Sequence, residues 1–315
     1  MASSTKSGIF GETLLTSITI FNSITKISSC CFKNCGIKEF HFPEKLKELG
    51  EGCFSECSNL KIVSISTGIS SLPKSTFYKC YSLSEIIIPN NIKELGECCF
   101  SDCFHLSSIE IPISLTMLPK DCFRRCSCEN IIIPSSIVEL GETCFEYCER
   151  MKEIILPSSI TNIKQSCFKR CGFNEIKIPD SVKEIGKDCF YNCSNLQKIE
   201  LSTSLKILPE RCFYDCKSLS TIDIPSLITK FSYQSFSGCR FKEFIIPTQV
   251  KELGDECFDL CTYLTSITIP STIKKISENC FNRCYQLKSI TISNLIYKKF
   301  KKIFDKINNI EIVFN

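Results

Sequence analysis

Histidine occurs only twice in these 315 residues, at His41 and His105. A mixed cysteine–histidine zinc centre has little histidine to draw on, and the recurrent cysteine spacing is Cys-x-x-x-Cys rather than the Cys-x-x-Cys of a zinc site, so metal is disfavoured. Neither histidine has a sequence partner that would make it a general base. Charge of one sign is also lacking: 38 basic and 34 acidic residues leave a net +4, too balanced to argue for nucleic acid or an anionic membrane. Apolar runs stop after a few residues, short of a transmembrane span. Met1 to Gly8 has no apolar core of a secretory leader, and the end at Glu311–Asn315 carries no prenylation box. Nucleophile elbow, phosphate loop and metalloprotease motifs are missing. These absences set the expectation of a chain without enzymatic activity, cofactor or metal, and, by its missing leader, of a cytoplasmic one.

What the chain has in abundance is rhythm. A phenylalanine followed three residues later by cysteine recurs twelve times, from Phe32 to Phe281, at steps of 22 or 23 residues. A fixed period of that length predicts a solenoid of stacked units forming one continuous array. Aligned on phenylalanine, the unit reads Ile-x-Ile-Pro-x-x-Ile-x-x-Leu-Gly-x-x-Cys-Phe-x-x-Cys-x-x-Leu. Its Ile-x-Ile element, as in Ile109-Glu110-Ile111 or Ile222-Asp223-Ile224, alternates with period two, which predicts a short strand with one buried face, and stacked copies predict a parallel sheet. Nine of the twelve prolines follow this strand directly and end it, because proline brings no N–H to the ladder.

A second apolar pair, such as Ile92 and Leu95 or Val182 and Ile185, is expected to point inward from the opposite wall. The turn after it holds glycine in five copies (Gly50, Gly96, Gly141, Gly186, Gly254), suited to a positive φ, and proline in three (Pro73, Pro119, Pro209). The Cys-Phe-x-x-Cys segment is expected to form a short 3₁₀ or α turn. In the four 22-residue steps the missing residue lies between the second cysteine and the strand, as in Cys126 to Ile131 against Cys103 to Ile109, which leaves the inward side chains unchanged. One unit alone cannot offset the entropy of ordering it, so the array needs neighbours and caps. The expected organisation is a polar segment over 1–12, a solenoid over 13–293, and a capping helix and strand over 294–315. The cap helix runs from Leu295 to Ile307 with Ile296, Phe300, Ile303, Phe304 and Ile307 inward, and a strand follows over Ile310 to Val313. Leu15 to Cys35 reads as a first copy with its strand at Ile18 to Ile20.

Of the 25 cysteines, ten precede the repeat phenylalanine and twelve follow it by three, leaving Cys30, Cys98 and Cys128. The two gaps in the first slot are Thr76 and Ser235, small residues of the kind a packed position accepts, so the cysteines are expected to be reduced and buried. Coil spacing of about 4.8 Å would also permit disulfides.

The outward strand positions are the candidate binding surface. They carry eight acidic residues and two lysines, a balance unsuited to phosphates. Ile87, Glu110, Ile132, Ile155, Lys177, Glu200 and Asp223 are the candidate partner-binding residues, with a hot spot around Ile132 and Ile155. The plainer reading is that β-branched side chains simply suit an open sheet. Lys298, Lys299, Lys301 and Lys302 make the C-terminal helix basic, so it could contact an acidic membrane surface, although a cap needs the same apolar face.

The unit resembles the leucine-rich repeats of the BspA-like, or Treponema-type, class, with cysteine in place of the usual alanine before phenylalanine in ten of twelve copies. The resemblance covers about residues 13–293. It implies a leucine-rich-repeat right-handed superhelix, with a parallel sheet on one face and short strands or helical turns on the other. Such repeats are known from anaerobic bacteria and, in expanded sets, from parasitic amoebae and trichomonads. The resemblance further implies protein-binding, adhesive or cell-surface roles and no catalysis. The expected function is a scaffold that recognises a protein or surface ligand through its sheet; the alternative is a structural surface-coat protein attached through the basic helix.

Overall fold

The computed structural model describes residues 15–307 and 310–315, so the polar segment expected over 1–12 lies outside the described residues. The chain forms two compact units, Met1–Ile160 and Thr161–Asn315. Each is a parallel β-solenoid built from the same three-walled coil, with about twelve coils in the chain.

The first wall, called the face below, consists of three- and four-residue strands. In the first unit Glu39–His41, Ile62–Ser64 and Glu85–Ile87 pair in one sheet, and Asn130–Ile132 pairs with Glu153–Ile155. In the second, Glu175–Lys177 pairs with Lys198–Glu200, while Glu243–Ile245, Ser266–Ile269, Ser289–Ile292 and Glu311–Phe314 form a four-stranded ladder. All pairings are parallel and in register, so the central isoleucines and phenylalanines of successive strands stack inward while their neighbours point out.

The ladder is not continuous, which departs from the sequence expectation. Residues 18–20, 108–111 and 221–224 form no strand, and among the described residues the N–H groups of Ser108–Ile111 and Thr221–Ile224 donate to no neighbouring coil. Ile109 and Ile111 nevertheless remain buried and Glu110 exposed. Each of these stretches immediately precedes a coil whose corner is one residue short, at Cys35, Cys126 and Cys239, and 108–111 and 221–224 also fail to pair with Glu85–Ile87 and Lys198–Glu200 behind them, across the full-length corners at Cys103 and Cys216. In the long corners a leucine or methionine three residues after the cysteine is buried, as at Leu60, Leu106 and Met151. In the short ones the buried residue comes two after it, at Ile37, Cys128 and Phe241. Losing one residue, about 3.3 Å of reach, draws the following strand out of line with the preceding one while the corner still fills its place in the core. That also explains Cys128: it is the corner core residue of its coil.

The second wall consists of two-residue parallel strands, such as Ser71–Leu72 with Glu94–Leu95 and Asn162–Ile163 with Glu184–Ile185. Ile92, Leu95, Val182 and Ile185 are buried behind it. The five glycines of this wall do not take the positive φ anticipated for them. They are small for another reason: a Cβ on Gly50, Gly96 or Gly186 would come within 2.1–2.3 Å of a backbone nitrogen in the preceding coil. Pro73 lies directly against Gly96 there, so proline and glycine alternate along one backbone path.

The third wall corrects the expectation of helical turns. Around each phenylalanine, the residues two before and two after it are left-handed in almost every coil; among non-glycines φ lies between 51° at Gln234 and 64° at Glu56. The intervening residues close tight turns, so N–H groups point alternately along the stack and back into the coil. Ser75, Phe77 and Lys79 donate to Glu97, Cys99 and Ser101 of the next coil at 2.8–2.9 Å, while Thr76, Tyr78 and Cys80 donate to Pro73, Ser75 and Phe77 of their own. A left-handed non-glycine costs roughly 1–2 kcal/mol. The three hydrogen bonds that each coil thereby gains to its successor offset that strain.

Inside this wall the phenylalanine rings form an offset stack. Phe77, Phe100 and Phe123 lie 5.5–5.6 Å apart, as do Phe190 and Phe213 at 5.6 Å. Beside them runs a thiol ladder: Cys80, Cys103 and Cys126 each donate S–H to the phenylalanine carbonyl one coil back at 3.1–3.2 Å, and Cys216 and Cys239 do so in the second unit at 3.1–3.2 Å. Thr76 and Ser235, in the other cysteine slot, are fully buried.

The C-terminal helix spans Asn294–Phe304, capped by the Ser293 side chain, which accepts from the Ile296 N–H at 3.4 Å. It ends three residues earlier than the periodicity suggested and is kinked at Phe300 (φ −112°, ψ 17°). Ile296 and Phe304 are buried, whereas Phe300, Ile303 and Ile307 are half-buried.

Candidate functional site

The strand alternation makes the face a grid. One column holds the residue before each buried strand centre, and the next column holds the residue after it. In the first unit the second column runs His41, Ser64, Ile87, Glu110, Ile132, Ile155, all exposed. Register pairs Ile132 directly with Ile155 and Ser64 with Ile87. Ile87 is 79% exposed, Ile132 71% and Ile155 52%, values far above those of the strand centres beside them. Glu110 stands between Ile87 and Ile132 on the coil that leaves the ladder. Ile113, 72% exposed at the corner three residues beyond Glu110, was not singled out in the sequence. Its signal was legible: it follows the strand proline, where other coils have Asn90, Ser135, Ser158 or Asp180.

Charge is arranged differently in the two units. On the first unit's face Glu39, Glu85, Glu110 and Glu153 form no ion pair among the described residues, and no lysine or arginine occupies either column. Lys152 and Glu129 at the corner neutralise each other at 2.6 Å, and that hydrogen bond holds the Glu129 carboxyl below its ordinary range. On the second unit's face Lys177 and Lys198 both pair with Glu200, at 3.2 and 3.3 Å. Their hydrogen bonds lower the Glu200 pKa. Asp223 is exposed on the second stretch that leaves the ladder. The structure thus brings Ile132 to Ile155 and Lys177 to Glu200.

The remaining candidates sit in ordinary surroundings. His41 is exposed on the face, and the exposed His105 donates from Nδ1 to the Tyr81 carbonyl at 2.6 Å. Burial pushes the thiols up, Cys57, Cys128, Cys193 and Cys284 to about 12, so the ladder cysteines are neutral donors rather than nucleophiles. Among the described residues no three Cys, His, Asp or Glu side chains converge as metal ligands would. The C-terminal helix spends Ile296 and Phe304 on the last coil; Lys299 donates to the Lys274 carbonyl and Lys301 pairs with Asp305. Lys298 and Lys302 are exposed. No described helix is long and apolar enough to cross a membrane. A cavity of about 1070 Å³ lies between this helix and the last coil, lined by Phe281, Leu287, Ile303 and the Lys306–Glu278 ion pair and reaching Glu311 of the last face strand.

Comparison with known proteins agrees with this coil. No curated protein matches the chain. Among solved structures, a leucine-rich repeat protein from Bacteroides ovatus is 24% identical, covers 93% of this chain and 88% of its own, and superposes with a TM-score of 0.73. A leucine rich cell surface protein from Faecalibacterium prausnitzii is 24% identical over 92% of this chain and 81% of its own, with a TM-score of 0.56. The pneumococcal vaccine antigen PcpA is 16% identical over 93% and 71%, with a TM-score of 0.56. At these identities the likeness is one of fold. The sequence itself matches the BspA type leucine rich repeat region over residues 3–129, 116–242 and 229–314, and the chain belongs to that family of repeat scaffolds.

Proposed function

We propose that this chain is a non-enzymatic scaffold that recognises another protein, or a surface ligand, through the exposed strands of its face. The observation that carries the reading is the pairing of Ile132 with Ile155, exposed on adjacent strands and flanked by the unpaired carboxylates of Glu110 and Glu153. Apolar side chains held out on a rigid sheet and rimmed by charge are what a protein interface buries at its centre. The recurring slots of the coil are spent on packing, so the variable, outward slots are where recognition can be encoded. Two similar structures are named a cell surface protein and a vaccine antigen, which supports display at a surface for this chain as well.

The test is capture of binding partners by the full chain and by the Ile132→Glu plus Ile155→Glu variant. The variant is expected to fold normally and to lose its partners. An unchanged set of captured proteins sinks the reading.

A further inference from the structure

We infer that the partner segment taken by the first unit's face is a cationic, amphipathic α-helix lying along the column Ile87–Glu110–Ile132–Ile155. The inference rests on the recognition role proposed above and adds the chemistry of the partner.

Three observations converge on it. The first is charge. Glu85, Glu110 and Glu153 are exposed on this face, pair with no basic group among the described residues and have no lysine or arginine in either column beside them, whereas the second unit's face, although Glu175, Asp223 and Glu243 are also without an ion pair, already holds Lys177 and Lys198 against Glu200. An incoming segment must supply the missing positive charge, and one carrying its own carboxylates would be repelled. The second is apolar patterning. Ile87, Ile132 and Ile155 occupy one column of successive coils with a single carboxylate interposed, so the partner needs apolar side chains along one edge with a cation among them.

The third is spacing. The paired step from Ile132 to Ile155 is about 4.8 Å, and the rings of Phe77, Phe100 and Phe123 on successive coils stack 5.5–5.6 Å apart, so the three steps from Ile87 to Ile155 cover about 14–17 Å. A helix presents one side chain per turn of about 5.4 Å, or about 16 Å over three turns. An extended strand presents alternate residues about 6.7 Å apart, some 20 Å over three repeats, and falls out of step with the coils. Hydrogen bonding agrees. Approaching the sheet from above, a partner meets side chains, and the open backbone groups of Ser108–Ile111 point along the stack rather than outward, so an extended segment would leave its own N–H and C=O groups unpaired there, while a helix satisfies them internally.

The probe is a synthetic helix of about 15 residues, a length at which an isolated helix becomes appreciable, with leucines along one face and lysines beside them. It is titrated by fluorescence anisotropy against the full chain. One control peptide has the same composition in scrambled order, and another has glutamate for every lysine. The amphipathic cationic peptide is expected to bind, more weakly as salt rises. Its affinity should fall about tenfold or more, a loss of hot-spot size, in Glu110→Lys plus Glu153→Lys and again in Ile132→Ala plus Ile155→Ala. Glu175→Lys plus Glu184→Lys, the same charge change in the second unit, should leave it unaltered. Equal binding of the scrambled or acidic peptide, an equal loss in the second-unit variant, or no binding at all overturns the inference. If partners captured by the wild type are lost in Ile132→Glu plus Ile155→Glu while the peptide fails to bind, the helix alone is wrong. If capture is unaffected as well, the recognition role falls with it.

Discussion

The turn wall and the face are made by the same repeats and stack in the same direction, yet they hold the coils together to different degrees. On the turn wall, three backbone hydrogen bonds per step, a ring stack and a thiol ladder recur through each unit. On the face, the ladder lapses at 108–111, where Ile109 and Ile111 stay buried, and at 221–224, where Ile222 and Ile224 become partly exposed, yet the turn-wall bonds continue through both coils. The coil stack is therefore held chiefly from the turn wall. Because the face is not needed to keep the stack together, its outward residues can change from coil to coil, and that freedom is what a recognition surface requires.

The largest test of this contrast is alkaline pH. The turn-wall thiols, like the corner thiol of Cys128, are held neutral by burial, with Cys57, Cys128, Cys193 and Cys284 raised to about 12. In the unfolded chain a thiol ionises near 8.5. The folded form therefore retains protons that the unfolded form loses. The resulting stability is complete below about pH 8.5 and drains away as pH climbs towards 12. These four thiols alone withdraw roughly 5 kcal/mol per pH unit in that window. Circular dichroism and thiolate absorbance followed together should show one cooperative unfolding above about pH 9, with the thiols ionising in the same step. Thiols that titrate in the ordinary range while the fold persists would contradict the packed ladder.

Smaller effects separate the walls residue by residue. Phe123→Ala removes one ring from the stack and should cost about 3–5 kcal/mol, whereas Ile132→Ala on the face should stay within about 0.5 kcal/mol. Chemical denaturation of the two variants measures both. Gly96→Ala is expected to cost about 1–3 kcal/mol, because its Cβ meets backbone rather than a side chain that can swing away. Cys103→Ala should lose about 0.5–1.5 kcal/mol for the S–H bond to the Phe77 carbonyl, which keeps its second donor, the Cys80 N–H. A face variant as costly as Phe123→Ala would erase the distinction between the walls.

Much of this architecture was legible in the sequence, and the reasons for the failures are physical. Period, strand alternation and the proline stop identified the coil, since each depends on local side-chain chemistry. The left-handed turns were hidden. Asn34, Gly52, Asp102 and Asp121 are residues that tolerate φ > 0, but Arg125, Tyr147 and Leu260 occupy equivalent places, so the signal was diluted. The glycine slot misled because smallness serves close approach between coils, which only the stacked structure reveals. On the candidate site, exposure of Ile87, Ile132 and Ile155 followed from strand period two. The neutral pairing of Lys177 with Glu200, against the unpaired carboxylates of the first unit, could not be read before the register was known.

The smallest effect concerns the face alone. If a short corner is what breaks the ladder, lengthening it should mend the break without touching the turn wall. Inserting one serine between Ser127 and Cys128 restores the 23-residue step and keeps Cys128 in its buried place, where its thiol meets the Leu106 carbonyl at 3.2 Å. The strand at Ile131 would then come into line with Ile109. Amide hydrogen exchange at Ile109 and Ile111, whose N–H groups face the following coil, is expected to be fast in the native chain, because they have no partner there, and to slow in the insertion variant towards the rate of Ile133, which donates to the Ile155 carbonyl. Exchange at Phe100 and Asp102 on the turn wall, already donating to Cys122 and Arg124, should not change. If Ile109 and Ile111 stay fast after the insertion, corner length does not set the register of the face, and the cause lies in the strand residues themselves.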